Sequence, residues 1–282
     1  MRIARAILTH RQEIIPLLKR YYLDSGRTDC LVVAYNQFSV NPKGFEQFEN
    51  FKLYPYLGKG AQGSIFGQMF LVWGDLAKTF PEIDFWIFHD YDVLVKPRDS
   101  EIFELVKPGN YGMIGKPFNY SLKTIEQSSA EALYPFPKKG LLYSLGNANY
   151  KYLESELLKN YPVNQEGQNV VLTGYGDFLA AYSKDLLLFT NGNLKNLKNG
   201  GSEQAPHTVF GHCGIRPVDI SEHFSCFVSV DNTLYGKFES NYDISHPVKF
   251  WPGLKPAPFK LRLKRMVKMF LSGASYSKVR PN

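Results

Sequence analysis

Cysteine is scarce in this chain of 282 residues: Cys30, Cys213 and Cys226 are odd in number and far apart. They supply neither a disulfide framework nor the Cys-x-x-Cys spacing of a zinc site, so a reducing, cytoplasmic setting is expected. No apolar run approaches the ~20 residues that cross a bilayer. The start, Met1-Arg2-Ile3-Ala4-Arg5, lacks the apolar stretch and small-residue cleavage site of a secretory leader, and none is expected. Acidic residues are absent after Asp243, whereas nine Lys and Arg follow it. Nine exceeds the net charge of +7 by two, so residues 1–243 carry a net −2. A faintly acidic body with a strongly basic end argues against a nucleic-acid binder, which would spread basic residues over its folded surface. The Gly-rich segment Gly58-Lys59-Gly60-Ala61-Gln62-Gly63-Ser64 lacks the Gly-Lys-Ser/Thr order of a Walker A loop.

What is present is a succession of buried-strand and helix patterns. Residues 4–9 and 30–35 read as continuous apolar strands. Between them Ile14, Ile15, Leu17, Leu18, Tyr21 and Tyr22 recur at helical spacing, which predicts a helix over 12–23. Strand, helix and strand make a βαβ unit and imply a parallel sheet. Residues 36–63 are expected to form a loop, 64–80 and 100–106 helices, 111–115 a short strand, and 150–158 a helix. Residues 116–143 read as an irregular insertion. One α/β domain is expected over 1–254, with a separate basic tail over 255–282.

The most informative segment is Asp84-Phe85-Trp86-Ile87-Phe88-His89-Asp90-Tyr91-Asp92. An apolar run on both faces fits a strand in the middle of a helix-covered sheet, and it ends in two carboxylates one residue apart. Ligands of such sheets bind beyond the carboxyl ends of the strands. Two carboxylates in that crevice repel each other unless a cation or ligand neutralises them. A divalent metal carrying a diphosphate is therefore expected. His89, alternating with Asp90, is expected to be structural. Two further segments carry candidate groups. In Thr173-Gly174-Tyr175-Gly176-Asp177-Phe178-Leu179 a Gly-rich turn presents Asp177, either as the cap of an apolar helix over 178–182 or as a general base. In Ser245-His246-Pro247-Val248-Lys249-Phe250-Trp251 a His is followed by a Lys.

A buried strand ending in Asp-x-Asp after a βαβ unit and a small-residue helix entry resembles the GT-A-fold glycosyltransferases. The resemblance implies a Rossmann-like, mostly parallel sheet flanked by helices, with Mn²⁺ or Mg²⁺ holding a nucleotide-diphosphate sugar. It implies metal binding by Asp90, Asp92 and His246, with Asp90 also near the ribose. Lys249 and Lys59 would contact the diphosphate, and Thr9, His10 and Asn36 the nucleotide. Asp177 would be the base that deprotonates an acceptor hydroxyl, with Glu222 in reserve and inversion favoured over retention. His207, His212 and His223 are rival metal ligands. The segment around His246 departs from the His-x-x-Gly-x-x-Lys-Pro-Trp pattern of one retaining group, which leaves stereochemistry open.

In the tail, Phe259, Leu263, Met266, Val267 and Phe270 form one helical stripe among basic residues. Such a helix suits either an anionic membrane surface, on the inner face of a membrane, or packing on the domain. The function expected is sugar transfer to a glycan or lipid-linked glycan, as in polysaccharide synthesis. A sugar-phosphate nucleotidyltransferase and a non-catalytic glycan- or membrane-binding module are the alternatives. Against the former, Ile7-Leu8-Thr9-His10-Arg11 contains no glycine.

Overall fold

The structure is a computed structural model that describes residues 1–37, 40–56, 69–115, 117–120, 171–190, 205–228, 241–246 and 248. Three runs, buried throughout but for Ile3, form its centre: β1 (Ile3–Thr9), β2 (Leu31–Asn36) and β4 (Phe85–Asp90). They are apolar on both faces because both faces are covered. With β3 (Phe51–Tyr56), β6 (Asn110–Met113), β9 (Phe178–Tyr182) and β10 (Arg216–Asp219) they make a seven-stranded sheet of order β10-β6-β9-β4-β1-β2-β3. Only β9 runs against the others. The expected α/β class, a mostly parallel sheet flanked by helices, is the one observed.

Alternation along the strands sorts the core into two faces. Ala4, Ala6, Leu8, Trp86 and Phe88 pack with Phe70, Trp73 and Leu76 of α2 (Met69–Thr79) and with Val209 and Phe210 of α4 (Ala205–His212). On the opposite face Ile7, Leu31 and Val33 pack with Ile14, Ile15, Leu18 and Tyr22, and Phe85 and Ile87 pack with Ile102 of α3 (Asp99–Leu105). The stretch 12–23 is helical as expected, though built of a 3-10 turn (Gln12–Ile14), α1 (Ile15–Leu18) and a π turn (Lys19–Leu23).

Two expectations are corrected. Residues 51–56 lie inside the expected loop but form β3, which among the described residues is an edge strand with a neighbour on one side, a place where Pro55 is tolerated. Residues 178–182 are β9 rather than a helix, so Asp177 is not a helix cap. A five-residue apolar run fits either element, and the fully buried slot between β4 and β6 selects the strand. In the expected insertion, β7 (Phe118–Tyr120) pairs with β8 (Val171–Thr173). The helix expected over 150–158 and the tail over 255–282 lie outside the described residues. Among the described residues no helix is long and apolar enough to cross a membrane.

A small second sheet completes what positions the site. β5 (Leu94–Val95), the chain leaving the acidic pair, pairs antiparallel with β12 (Ile244–His246), which pairs with β11 (Cys226–Val228).

Candidate active site at the carboxyl edge of the sheet

Chain order reverses between β1 and β4: β2 and β3 extend the sheet on one side of β1, and β4 lies on the other. This is the switch point at which open α/β sheets bind ligands. Thr9, Asn36 and Asp90 end the three parallel strands there and are all buried. Thr9 Oγ1 accepts from the Arg11 backbone N–H at 3.0 Å and shapes the turn out of β1. His10 follows in that turn, with its ring edge-on to Tyr91 at 5.1 Å.

The acidic pair is fixed by backbone bonds on three sides. Asp90 N–H donates to the Asp177 carbonyl at 3.3 Å, Tyr91 N–H to Leu8 O at 3.0 Å, and Val248 N–H to Asp92 O at 2.7 Å. Because β9 runs antiparallel, its first residue, Phe178, stands beside His89, which brings Asp177 to the end of β4. Pairing of Ser245 with Leu94 brings His246 to the same edge. His246 Nε2 lies 3.9 Å from Asp92 Oδ1 and 3.7 Å from Asp177 Oδ2. Tyr175 packs edge-on against the His246 ring at 5.7 Å. Four residues from three distant segments thus meet at the switch point.

Compensation within the group is partial: His246 faces Asp92 and Asp177, while Asp90 meets charges of its own sign. Asp90 is 3 % exposed, and its Oδ1 has no hydrogen-bond partner; Asp92 Oδ1 and His246 Nδ1 are likewise buried without one. Burial, then the charges of Asp92 and Asp177, push the Asp90 pKa well above the carboxylate range. Asp177 is also raised, by burial first; His246 pulls it down and Asp92 pushes it up. Among the described residues, no three His, Cys, Asp or Glu side chains are gathered at metal-ligand spacing. The donor set nevertheless fits a hard divalent ion, since its carboxylate oxygens are buried, unpartnered and mutually repelling.

The remaining candidates divide clearly. Lys59 and Lys249 lie outside the described residues. His89, expected to be structural, is fully buried: its Nδ1 is 2.8 Å from Asp90 O, its Nε2 has no hydrogen-bond partner, and burial lowers its pKa to about 3. His207 is buried beside Tyr111. It lies on α4 with His212 five residues on, a spacing that puts the two rings on different helix faces. Glu222 closes a short 3-10 turn after β10, and His223 follows it, exposed.

A buried charge network escaped the sequence reading. Arg5, fully buried in β1, donates to Asp99 Oδ1 through Nε (2.8 Å) and Nη2 (2.5 Å), to Val95 O (3.1 Å) and to Pro97 O (2.9 Å). Its guanidinium lies 4.5 Å over the Tyr22 ring, and the Tyr22 hydroxyl accepts from Val95 N–H at 3.1 Å. The network anchors β5, and through β12 it steadies His246. The signal was an arginine inside an apolar strand; its partner, 94 residues away, carries none.

Fold and site together define an α/β protein with a cluster of acidic residues and a histidine at the carboxyl edge of its sheet. No family model matches the chain, and no curated protein matches it in sequence. Among solved structures it is similar to the galactosyltransferase LgtC in complex with donor and acceptor sugar analogs, at 12 % identity and a TM-score of 0.41 over 81 % of this chain and 76 % of that one. It is also similar to the bifunctional glycosyltransferase WbbM, at 12 % identity and a TM-score of 0.41 over 95 % of this chain. The chain spans only 44 % of WbbM. An active-site mutant of LgtC gives 9 % identity and a TM-score of 0.45, with 96 % of each chain covered. At these values the likeness is one of shape, and it lends this chain no site residue.

Proposed function

We propose that this chain is a metal-dependent glycosyltransferase that moves a sugar from a nucleotide-diphosphate donor to a hydroxyl of a glycan or lipid-linked glycan. The observation that carries the reading is the convergence of Asp90, Asp92, Asp177 and His246 at the switch point, with buried carboxylate oxygens left unpartnered. Asp92, Asp90 and His246 would hold Mn²⁺ or Mg²⁺. When bound, the cation supplies charge stabilisation for the departing diphosphate. Thr9, His10 and Asn36, at the ends of β1 and β2, are proposed to contact the nucleotide, and Lys59 and Lys249 the diphosphate. Asp177 is the proposed general base. Its raised pKa brings it nearer the operating pH, where a carboxylate accepts a proton more readily. A base acting on the acceptor favours inversion. The tail over 255–282 is proposed to meet an anionic membrane surface, which suits a lipid-linked acceptor.

The test is calorimetric titration of UDP and GDP with Mn²⁺ and again with EDTA, on the wild type and Asp92→Ala. Binding of one diphosphate that needs the cation and is lost in Asp92→Ala is expected. Binding that survives both changes would overturn the metal role. If neither nucleotide binds, other donor nucleotides come next and then a non-catalytic module.

A further inference from the structure

The turn that carries Asp177 rests on a seat that plays no part in the chemistry proposed above. A Cβ added at Gly174 would stand 2.6 Å from His207 Nε2, 2.8 Å from its Cδ2 and 2.7 Å from Met113 Cε, so only glycine fits against that ring. The other ring nitrogen, Nδ1, is 3.0 Å from the Tyr111 hydroxyl. Tyr111 itself packs on Phe210, one turn along the helix from His207, with ring centroids 4.7 Å apart. His207 has no exposed surface, and burial pushes its pKa down to about 4, with the Tyr175 backbone pulling the other way. At neutral pH the ring is therefore an uncharged imidazole with one donor and one acceptor nitrogen. It joins three elements that are remote in sequence: α4, β6 and the turn over 174–177.

The far end of the turn is pinned as well. Asp177 O accepts from Asp90 N–H at 3.3 Å, and the Tyr175 ring abuts His246 at 5.7 Å. A displacement at Gly174 has only two intervening residues over which to relax before it reaches Asp177. We propose that His207, seated against Gly174 and oriented by Tyr111, is a positioning residue that sets where the Asp177 carboxylate stands relative to Asp92 and His246. The inference rests on the reading of Asp177 as the base. Misplacing a reacting group by about 1 Å costs on the order of 10²-fold in rate, so a seat of this kind governs turnover without touching substrate.

Four variants of the full chain test it: Gly174→Ala, His207→Ala, His207→Gln and the Gly174→Ala/His207→Ala double. Amide hydrogen exchange in EDTA is read over 88–92 and 173–179, with β2 as internal control, and transfer kinetics are read with Mn²⁺. In Gly174→Ala and His207→Ala, exchange in the two site segments should rise about tenfold or more while β2 stays protected. In both, kcat should fall about 10²-fold with donor KM unchanged. His207→Gln, neutral and able to donate and accept, should restore most of both readouts. Removing the ring makes room for the methyl group introduced at Gly174, beside a Met113 tip that can move, so the double variant should be no worse than His207→Ala alone. Loosening that extends to β2, or single-variant effects that simply multiply in the double, would overturn the proposal. If the wild type transfers no sugar, exchange and its coupling between the two sites still decide the seat, and only the functional reading falls.

Discussion

Replacing Asp90 with asparagine should make the metal-free protein more stable while removing the proposed activity. Asp90 is 3 % exposed and one of its oxygens has no hydrogen-bond partner. Burial, and then repulsion by Asp92 and Asp177, raise its pKa well above the usual range. Asparagine keeps the shape and removes the charge. An unsatisfied buried polar group costs about 1–3 kcal/mol and a charged one more, and an amide left short of partners keeps part of that cost, so the gain should be at least about 1–2 kcal/mol. For a chain of this size that is a rise of about 2–8 °C in Tm. The pH dependence has a definite sign. A folded-state pKa above the unfolded value means the native state binds the proton more tightly. Wild-type stability in EDTA is therefore greatest below the unfolded carboxylate pKa and falls as pH rises through the raised folded value. The variant should show a shallower slope, with Asp177 supplying what remains. Scanning calorimetry in EDTA from about pH 5 to 8 reads both effects. An asparagine variant less stable than wild type by more than about 1 kcal/mol at pH 8, or one with an undiminished slope, would refute the reasoning.

Asp99→Ala should destabilise the chain by about 3–5 kcal/mol in urea unfolding, because it strands a fully buried guanidinium. Replacing Arg5 and Asp99 together by Met and Leu should cost far less, and equal losses would show that the ion pair is not what matters. Asp177→Asn should lower the transfer rate by about 10²–10⁴-fold with nucleotide binding unchanged. Loss of binding instead would assign Asp177 to the donor side. With its pKa raised, the acid limb of the wild-type rate profile should lie above the ordinary aspartate range and shift or vanish in that variant.

Much of the fold was legible because the three central strands are largely apolar runs, interrupted in β1 by Arg5. β9 was not, because Phe178-Leu179-Ala180-Ala181-Tyr182 is equally apolar read as helix or strand, and only its neighbours β4 and β6 decide. β3 was hidden by Pro55 and by the alternation of an edge strand. At the candidate site, the Asp90–Asp92 spacing put the acidic pair at the carboxyl end of a buried strand, and β4 ends at Asp90. That Asp177 and His246 join it depends on one antiparallel insertion and one two-residue strand pairing, which no local pattern encodes. The seat under Gly174 was equally unreadable: Gly174 resembled an ordinary turn glycine, and the ring that forbids a Cβ there lies 33 residues later.

The two sets of buried charges differ in their surroundings more sharply than in their burial. Arg5 and Asp99 are as deeply buried as Asp90, yet the guanidinium finds a carboxylate, two carbonyls and an aromatic face. Its desolvation is offset within the fold, and nothing further is needed to hold it. Among the described residues Asp90 has no such partner: the charges that act on it, those of Asp92 and Asp177, carry the same sign. On the same pair of strands the chain thus surrounds the buried Arg5 with acceptors, although Asp99 Oδ2 keeps no hydrogen-bond partner, and leaves Asp90 beside like charges at the carboxyl edge of the sheet. The compensation missing there is what a cation and its anionic ligand would bring. If so, the wild type in Mn²⁺ and nucleoside diphosphate should lose the pH slope it shows in EDTA, since the bound state no longer gains by protonating Asp90.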